Sequence, residues 1–236
     1  ILGVYQLYER LTQAFPSVLF ESCASGGGRF DLGMMYYAPQ AWCSDDTDAV
    51  ERIYIQDGTS YGYIPSMWGA HVSAVPNDQV GRVTSLDTRA KVAYFGAFGY
   101  ELDLNELSEE EQETVKEQVA FYKHRHLFQH GTFYRIDSPD TATDNVYGWQ
   151  VVNDDQSEAI AVRFQILNEP NPGYIRFYFT GLDPEKTYQV NDDEETYSGA
   201  ELMNAGYFVA RIMPRSASPK PLADFNATMF VVKAVD

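Results

Sequence analysis

Only two of the 236 residues are cysteine, Cys23 and Cys43, too few for a disulfide framework in a chain of this size. They read as free thiols of a reducing compartment. Histidine is also scarce. His124, His126 and His130 lie near one another, but no cysteine or carboxylate partner completes a zinc pattern, so neither a metal nor a cofactor is expected. Basic residues are few: 17 Lys and Arg stand against 34 Asp and Glu, leaving a formal charge of -17. Binding phosphates needs clustered cations, so nucleic acid is excluded as a partner, and an anionic membrane surface with it. No apolar run reaches the roughly 18 residues of a membrane-spanning helix, and no signal-peptide pattern is visible. Cytoplasm is the expected compartment. An initiator Met is missing as well. The chain opens on Ile1-Leu2-Gly3, already inside a helical pattern, and reads as cut from something longer.

What is present is apolar enough to fold. The hydrophobic share is 44% and the aromatic share 14%, which affords a sizeable core. In the first half the periodicity alternates. Val4, Leu7, Tyr8, Leu11 and Phe15 share one helical face, ended by Pro16. Val18-Leu19-Phe20 reads as a short buried strand. A helix is expected over 30–37, a strand over 40–43, a helix over 49–55, a strand over 67–74, a helix over 83–95 and a strand over 97–102. Ser108 and Glu111 form a capping box for a further helix, with acids in its first turn, Val115, Val119 and Tyr122 as its apolar stripe, and Gly131 beyond its end. About four helix–strand alternations over residues 1–131 predict an α/β unit with a parallel sheet.

The period then changes to two. Ile160, Val162, Phe164 and Ile166 alternate with Ala161, Arg163 and Gln165; Ile175, Phe177 and Phe179 alternate with Arg176 and Tyr178. Further strands are expected over 207–212 and 229–235. Turn signals separate them at Asn171-Pro172-Gly173, Asp183-Pro184 and Asn204-Ala205-Gly206. Residues 132–236 are therefore predicted to be an all-β domain, an antiparallel β-sandwich.

Polar residues concentrate just after two successive strands, as 21–29 and 42–48. In βα architectures the C-terminal strand ends carry the active site. Asp45, Asp46 and Asp48 crowd one turn. Like charges raise one another's pKa, and a carboxyl kept protonated is what a general acid requires. The same residues also suit a helix N-cap, which local pattern alone favours. Gly26-Gly27-Gly28 lacks the P-loop and dinucleotide spacings. It reads better as a tight turn where backbone approaches a ligand or another loop. Arg29 is expected to pair with a nearby acid. Trp42 and Trp68 suit either a sugar platform or the core. Cys23 suits either a small buried group or a pocket wall. A cysteine nucleophile would need a base, and the one early histidine, His71, has no diagnostic spacing.

Taken in order, four stretches resemble glycoside hydrolase family 36, the α-galactosidases and raffinose-processing enzymes. They are Leu19 to Asp31, Gln40 to Ala49, Gly69 to Asn77 and Gly99 to Asp103. The resemblance implies a partial (β/α)8 TIM barrel, about strands five to eight, over 1–131 and a C-terminal β-domain over 132–236. It implies a retaining double displacement on melibiose- or raffinose-type galactosides, with Asp45 as the acid/base. Cys23, Ala24, Ser25 and Gly26 would contact galactose, with Trp42 beside them. A galactoside partner and a homo-oligomer, a tetramer in the full-length protein, are implied too. The family's nucleophile lies in a Lys-Trp-Asp-type motif, and no such tripeptide occurs here. The chain alone is therefore expected to be inactive. A galactosyl transferase or α-N-acetylgalactosaminidase of the same family, or a carbohydrate-binding or interface module, are the alternatives.

Overall fold

The structure is a computed structural model. It describes all residues except 126, 138–142, 171–173, 211–223 and 236. The Asn171-Pro172-Gly173 turn, His126 and residues 211–212 of an expected strand lie outside the described residues. The chain divides into two compact units, Ile1–Lys123 and His124–Asp236.

The first unit alternates helix and strand. In chain order it runs α1 (Leu2–Ala14), β1 (Glu21–Ser22), α2 (Leu32–Met35), β2 (Gln40–Ala41), α3 (Ala49–Thr59), β3 (Gly69–Ser73), α4 (Leu86–Ala93), β4 (Ala97–Glu101) and α5 (Glu109–Lys123). Strands β1 and β2 pair in parallel, as do β3 and β4. A parallel bridge between Ala41 and Trp68 joins the two pairs. Four strand ends therefore follow one another along one rim. Side chains cap the helices: Asp31 accepts from Met34 N–H, Asp48 from Val50 and Glu51, and Ser85 from Thr88. Ser108 and Glu111 exchange the two hydrogen bonds of the capping box at 3.2 and 2.9 Å. Tyr122 on α5 donates to the carbonyl of Gly96 at 2.9 Å, tying that helix to the approach of β4.

Three expectations shift. Pairing starts at Glu21 rather than over residues 18–20, and Leu19 is 89% exposed because no described segment runs alongside it. Helix α1 forms as expected, but none of its residues is fully buried. Helix α5 stops at Lys123, and Gly131 instead follows a separate four-residue helix, donating to Leu127 O at 2.8 Å.

That short helix, α6 (Leu127–His130), opens the second unit. Then come β5 (Thr132–Arg135), β6 (Val146–Val152), β7 (Glu158–Gln165), β8 (Ile175–Phe177), β9 (Thr187–Val190), β10 (Thr196–Ser198), α7 (Gly199–Asn204), β11 (Tyr207–Ala210) and β12 (Asn226–Val235). Six strands form one antiparallel sheet in the order β10-β9-β12-β7-β6-β5, and β8 pairs with β11 in a separate ladder. Phe177 and Phe179 reach Phe230 at ring distances of 5.0 and 5.9 Å, so the ladder shares a core with the sheet. The alternation read along β7 does not leave one side wet. Ala159 and Ala161 face that core, while Trp149 and Phe164 meet edge to face at 4.8 Å and α6 packs on β6 and β7. Arg163 and Gln165 are buried as well.

Candidate active site

Two strand-end loops interlock in the first unit. Ser25 and Gly26 both take positive φ, 48° and 67°, which turns the chain tightly after β1. A β-carbon on Gly26 would lie 2.7 Å from Asp45 N and 2.9 Å from Ser44 Cα; one on Gly27 would lie 2.6 Å from the Cys43 carbonyl oxygen. The glycine run thus exists for loop-on-loop contact. Carbonyl oxygens of Cys43 and Ala24 fill the space beside Gly27 and Gly28, an arrangement that repels an anion. Among the described residues Arg29 pairs with no acid. Its guanidinium donates to the Cys23 carbonyl, because the turn brings that oxygen back over the side chain.

The three crowded aspartates separate into three situations. Asp48 is 2% exposed, caps α3 through two 3.0 Å bonds and pairs with Arg82. Asp46 accepts the Asp48 N–H at 3.0 Å, while its own N–H donates to Ser44 Oγ at 3.1 Å. Asp45 is exposed, and among the described residues no hydrogen bond or ion pair reaches its carboxylate. Its backbone is held nonetheless: Gln79 Nε2 donates to the Asp45 carbonyl at 2.9 Å, and Asn77 Nδ2 to Thr47 Oγ1 at 3.1 Å. The loop after β3 therefore braces the loop after β2. Cap and free carboxylate coexist in one turn, so the two readings of the triplet apply to different residues.

Of the other residues named from sequence, Cys23 and Ser25 are exposed, Ala24 is half-buried and Gly26 is buried. Both thiols are free, and burial pushes the Cys43 thiol pKa up. Trp68 is 1% exposed and belongs to the core, which removes it as a sugar platform. Trp42 is half-buried with its ring already engaged: His71 stacks on it at 4.5 Å and 27°, and the Arg52 guanidinium lies 4.7 Å from the ring centroid. His71 Nδ1 lies 3.3 Å from Glu101 Oε2. Local sequence pattern does not mark Arg52, Gln79 or Arg82 as site residues. Arg52 falls four residues after Asp48 on the inner face of α3, beside buried Ala49, Ile53 and Gln56, and that periodicity was the available signal. No three His, Cys, Asp or Glu converge on a metal position among the described residues, and no described helix is long and apolar enough to cross a membrane.

Comparison with known proteins places this geometry in a family. Residues 1–131 match the melibiase family, and residues 146–232 match the glycosyl hydrolase family 36 C-terminal domain. The α-galactosidase AgaA of Geobacillus stearothermophilus is 49% identical over 236 residues, covering 100% of this chain and 31% of AgaA. The crystal structure of an α-galactosidase from Lactobacillus brevis superposes with a TM-score of 0.92 at 66% identity, over 100% of this chain and 31% of that one. A variant of AgaA in complex with raffinose superposes with a TM-score of 0.88 at 48% identity, over 99% and 31%. The chain spans about a third of the length of these relatives. It belongs to the melibiase family, within glycosyl hydrolase family 36.

Proposed function

We propose that this chain supplies the acid/base side of a retaining α-galactosidase active site, acting within a longer protein on terminal α-galactosyl residues of raffinose- or melibiose-type galactosides. The observation that carries the reading is the partition of the aspartates. Asp48 is committed to a cap and an ion pair, Asp46 to the turn, and Asp45 presents a carboxylate with no partner among the described residues. A group that gives and takes a proton must reach substrate, and a carboxylate locked in a cap cannot. Asp45 would protonate the leaving oxygen as the glycosyl–enzyme forms and deprotonate water as it is hydrolysed. The Cys23–Gly26 turn, packed against the Asp45 backbone, would hold galactose close to the main chain. The raffinose bound to the AgaA variant supports the substrate class.

The nucleophile would come from a part of the protein outside these residues, since no Lys-Trp-Asp tripeptide is present. Loss of one member of a cooperative catalytic set removes most of the rate, so the 236-residue chain alone is expected to turn over no aryl α-galactoside. In architecture, residues 1–131 would close as strands five to eight of a (β/α)8 barrel and 132–236 as a β-sandwich. The full-length enzyme would be a cytoplasmic homo-oligomer, by resemblance a tetramer. The test is Asp45→Asn in the full-length enzyme. Raffinose, whose leaving group needs a proton, is expected to lose turnover far more than an activated aryl galactoside. Wild-type rates on both substrates would remove Asp45 from the role.

A further inference from the structure

Arg52 is 2% exposed, yet among the described residues no carboxylate forms an ion pair with it. Burial lowers its pKa, against the opposing influence of Cys43, Asp46 and Glu101. A desolvated cation without a counter-ion is costly, so its hydrogen bonds account for its place. One arm of the guanidinium donates to the Ser44 carbonyl at 3.3 Å and the other to the Gly69 carbonyl at the start of β3. The planar fork bridges the loop after β2 and the first residue of β3, which a point charge cannot do. Its face lies over Trp42, Trp42 stacks on His71, and His71 meets Glu101 at the end of β4. Gly69 leaves room for the indole, since a β-carbon there would lie 2.9 Å from Trp42 Cε3. Held by its oxygen through Arg52 and packed at its nitrogen against Gly26, the Ser44–Asp45 peptide has little freedom to rotate.

We propose that Arg52 is a positioning residue for the Asp45 loop, acting with Trp42, His71 and Glu101 as a stacked clamp that ties the loop after β2 to β3 and to the end of β4. This rests on the reading of Asp45 as the acid/base. Trp42 then serves the site by being clamped rather than by offering its ring to sugar. A misplaced acid should matter most where the leaving group needs a proton.

The experiment uses a full-length α-galactosidase carrying this chain, with Arg52→Lys and Arg52→Met. Each is expected to lose at least about tenfold in kcat on raffinose with KM within about threefold, and clearly less on an activated aryl galactoside. Arg52→Lys keeps the positive charge that lowers the Cys43 thiol pKa, so in that variant a loosened clamp should expose Cys43 and speed its alkylation, as read by peptide mapping. Equal losses on both substrates, or a lysine that restores wild-type raffinose turnover, would overturn the proposal. If the Arg52 variants do not fold, His71→Asn, at a half-exposed position, decides. A smaller selective loss with faster Cys43 alkylation supports the clamp, and wild-type values for both overturn it. Asp45→Asn is run alongside. If that variant keeps its raffinose turnover, the acid/base reading falls, while Cys43 reactivity still judges the clamp independently.

Discussion

Gly26 and Asp45 touch through their backbones: a single added carbon on the glycine would sit 2.7 Å from the aspartate's amide nitrogen. The contact joins the turn after β1 to the turn after β2, and Gly26 reaches it at a φ of 67°. Gly26→Ala must therefore meet both a steric and a conformational penalty. A loss of roughly 1–3 kcal/mol in unfolding free energy is expected. In the full-length enzyme, raffinose turnover should fall by at least about tenfold, because the two loops part. Urea titration and steady-state kinetics check the two halves of this prediction, and unchanged values in both would show that the loops move independently.

Asp45 and Asp48, three residues apart, should respond oppositely. Asp48→Ala removes the α3 cap and leaves Arg82 without its buried partner, and should destabilise by roughly 3 kcal/mol. Asp45→Asn changes an exposed carboxylate that has no partner among the described residues, and should shift this chain's stability by no more than about 0.5 kcal/mol. Thermal and urea melts of both variants measure the contrast.

Alkaline pH should weaken the first unit. Burial pushes Tyr100 up to about 12, and its hydroxyl donates to Gln118 Oε1 at 2.7 Å. An unfolded tyrosine loses its proton near 10. Between about pH 10 and 12 the unfolded state then binds fewer protons than the folded state, and stability falls by about 1.4 kcal/mol per pH unit for this group. Below pH 10 the contribution is constant. Tyr100→Phe should flatten that limb of a stability-versus-pH curve while leaving the slopes contributed by other buried tyrosines. An unchanged slope would show that Tyr100 ionises freely.

The two thiols should separate kinetically. Cys23 is exposed, whereas Cys43 is half-buried with its pKa pushed up by burial. Since the thiolate is the nucleophile, an alkylating reagent should label Cys23 at least about tenfold faster. In the full-length enzyme galactose should slow labelling of Cys23. Protection of neither residue by galactose would argue against the Cys23–Gly26 turn as a sugar contact.

Local residue pattern was enough to read the helix–strand alternation of the first half, the strand-rich second half and the two polar loops that follow successive strands. These are local properties: apolar period, capping pairs such as Ser108 with Glu111, and glycines where a turn needs positive φ. Strands Val146–Val152 and Thr187–Val190 were not legible. The first is buried along most of its length and carries little alternation; the second is only four residues long. Asp45, Asp46 and Asp48 could not be told apart either, because each is a plausible cap by position alone. Tertiary structure decided between them. It brought Arg82 to Asp48 across 34 residues and, among the described residues, left the Asp45 carboxylate without a partner. Arg52 was hidden for the same reason. Its partners, the Ser44 and Gly69 carbonyls and the Trp42 ring, are set by which strand ends become neighbours, and that follows from parallel pairing at long range rather than from any local pattern.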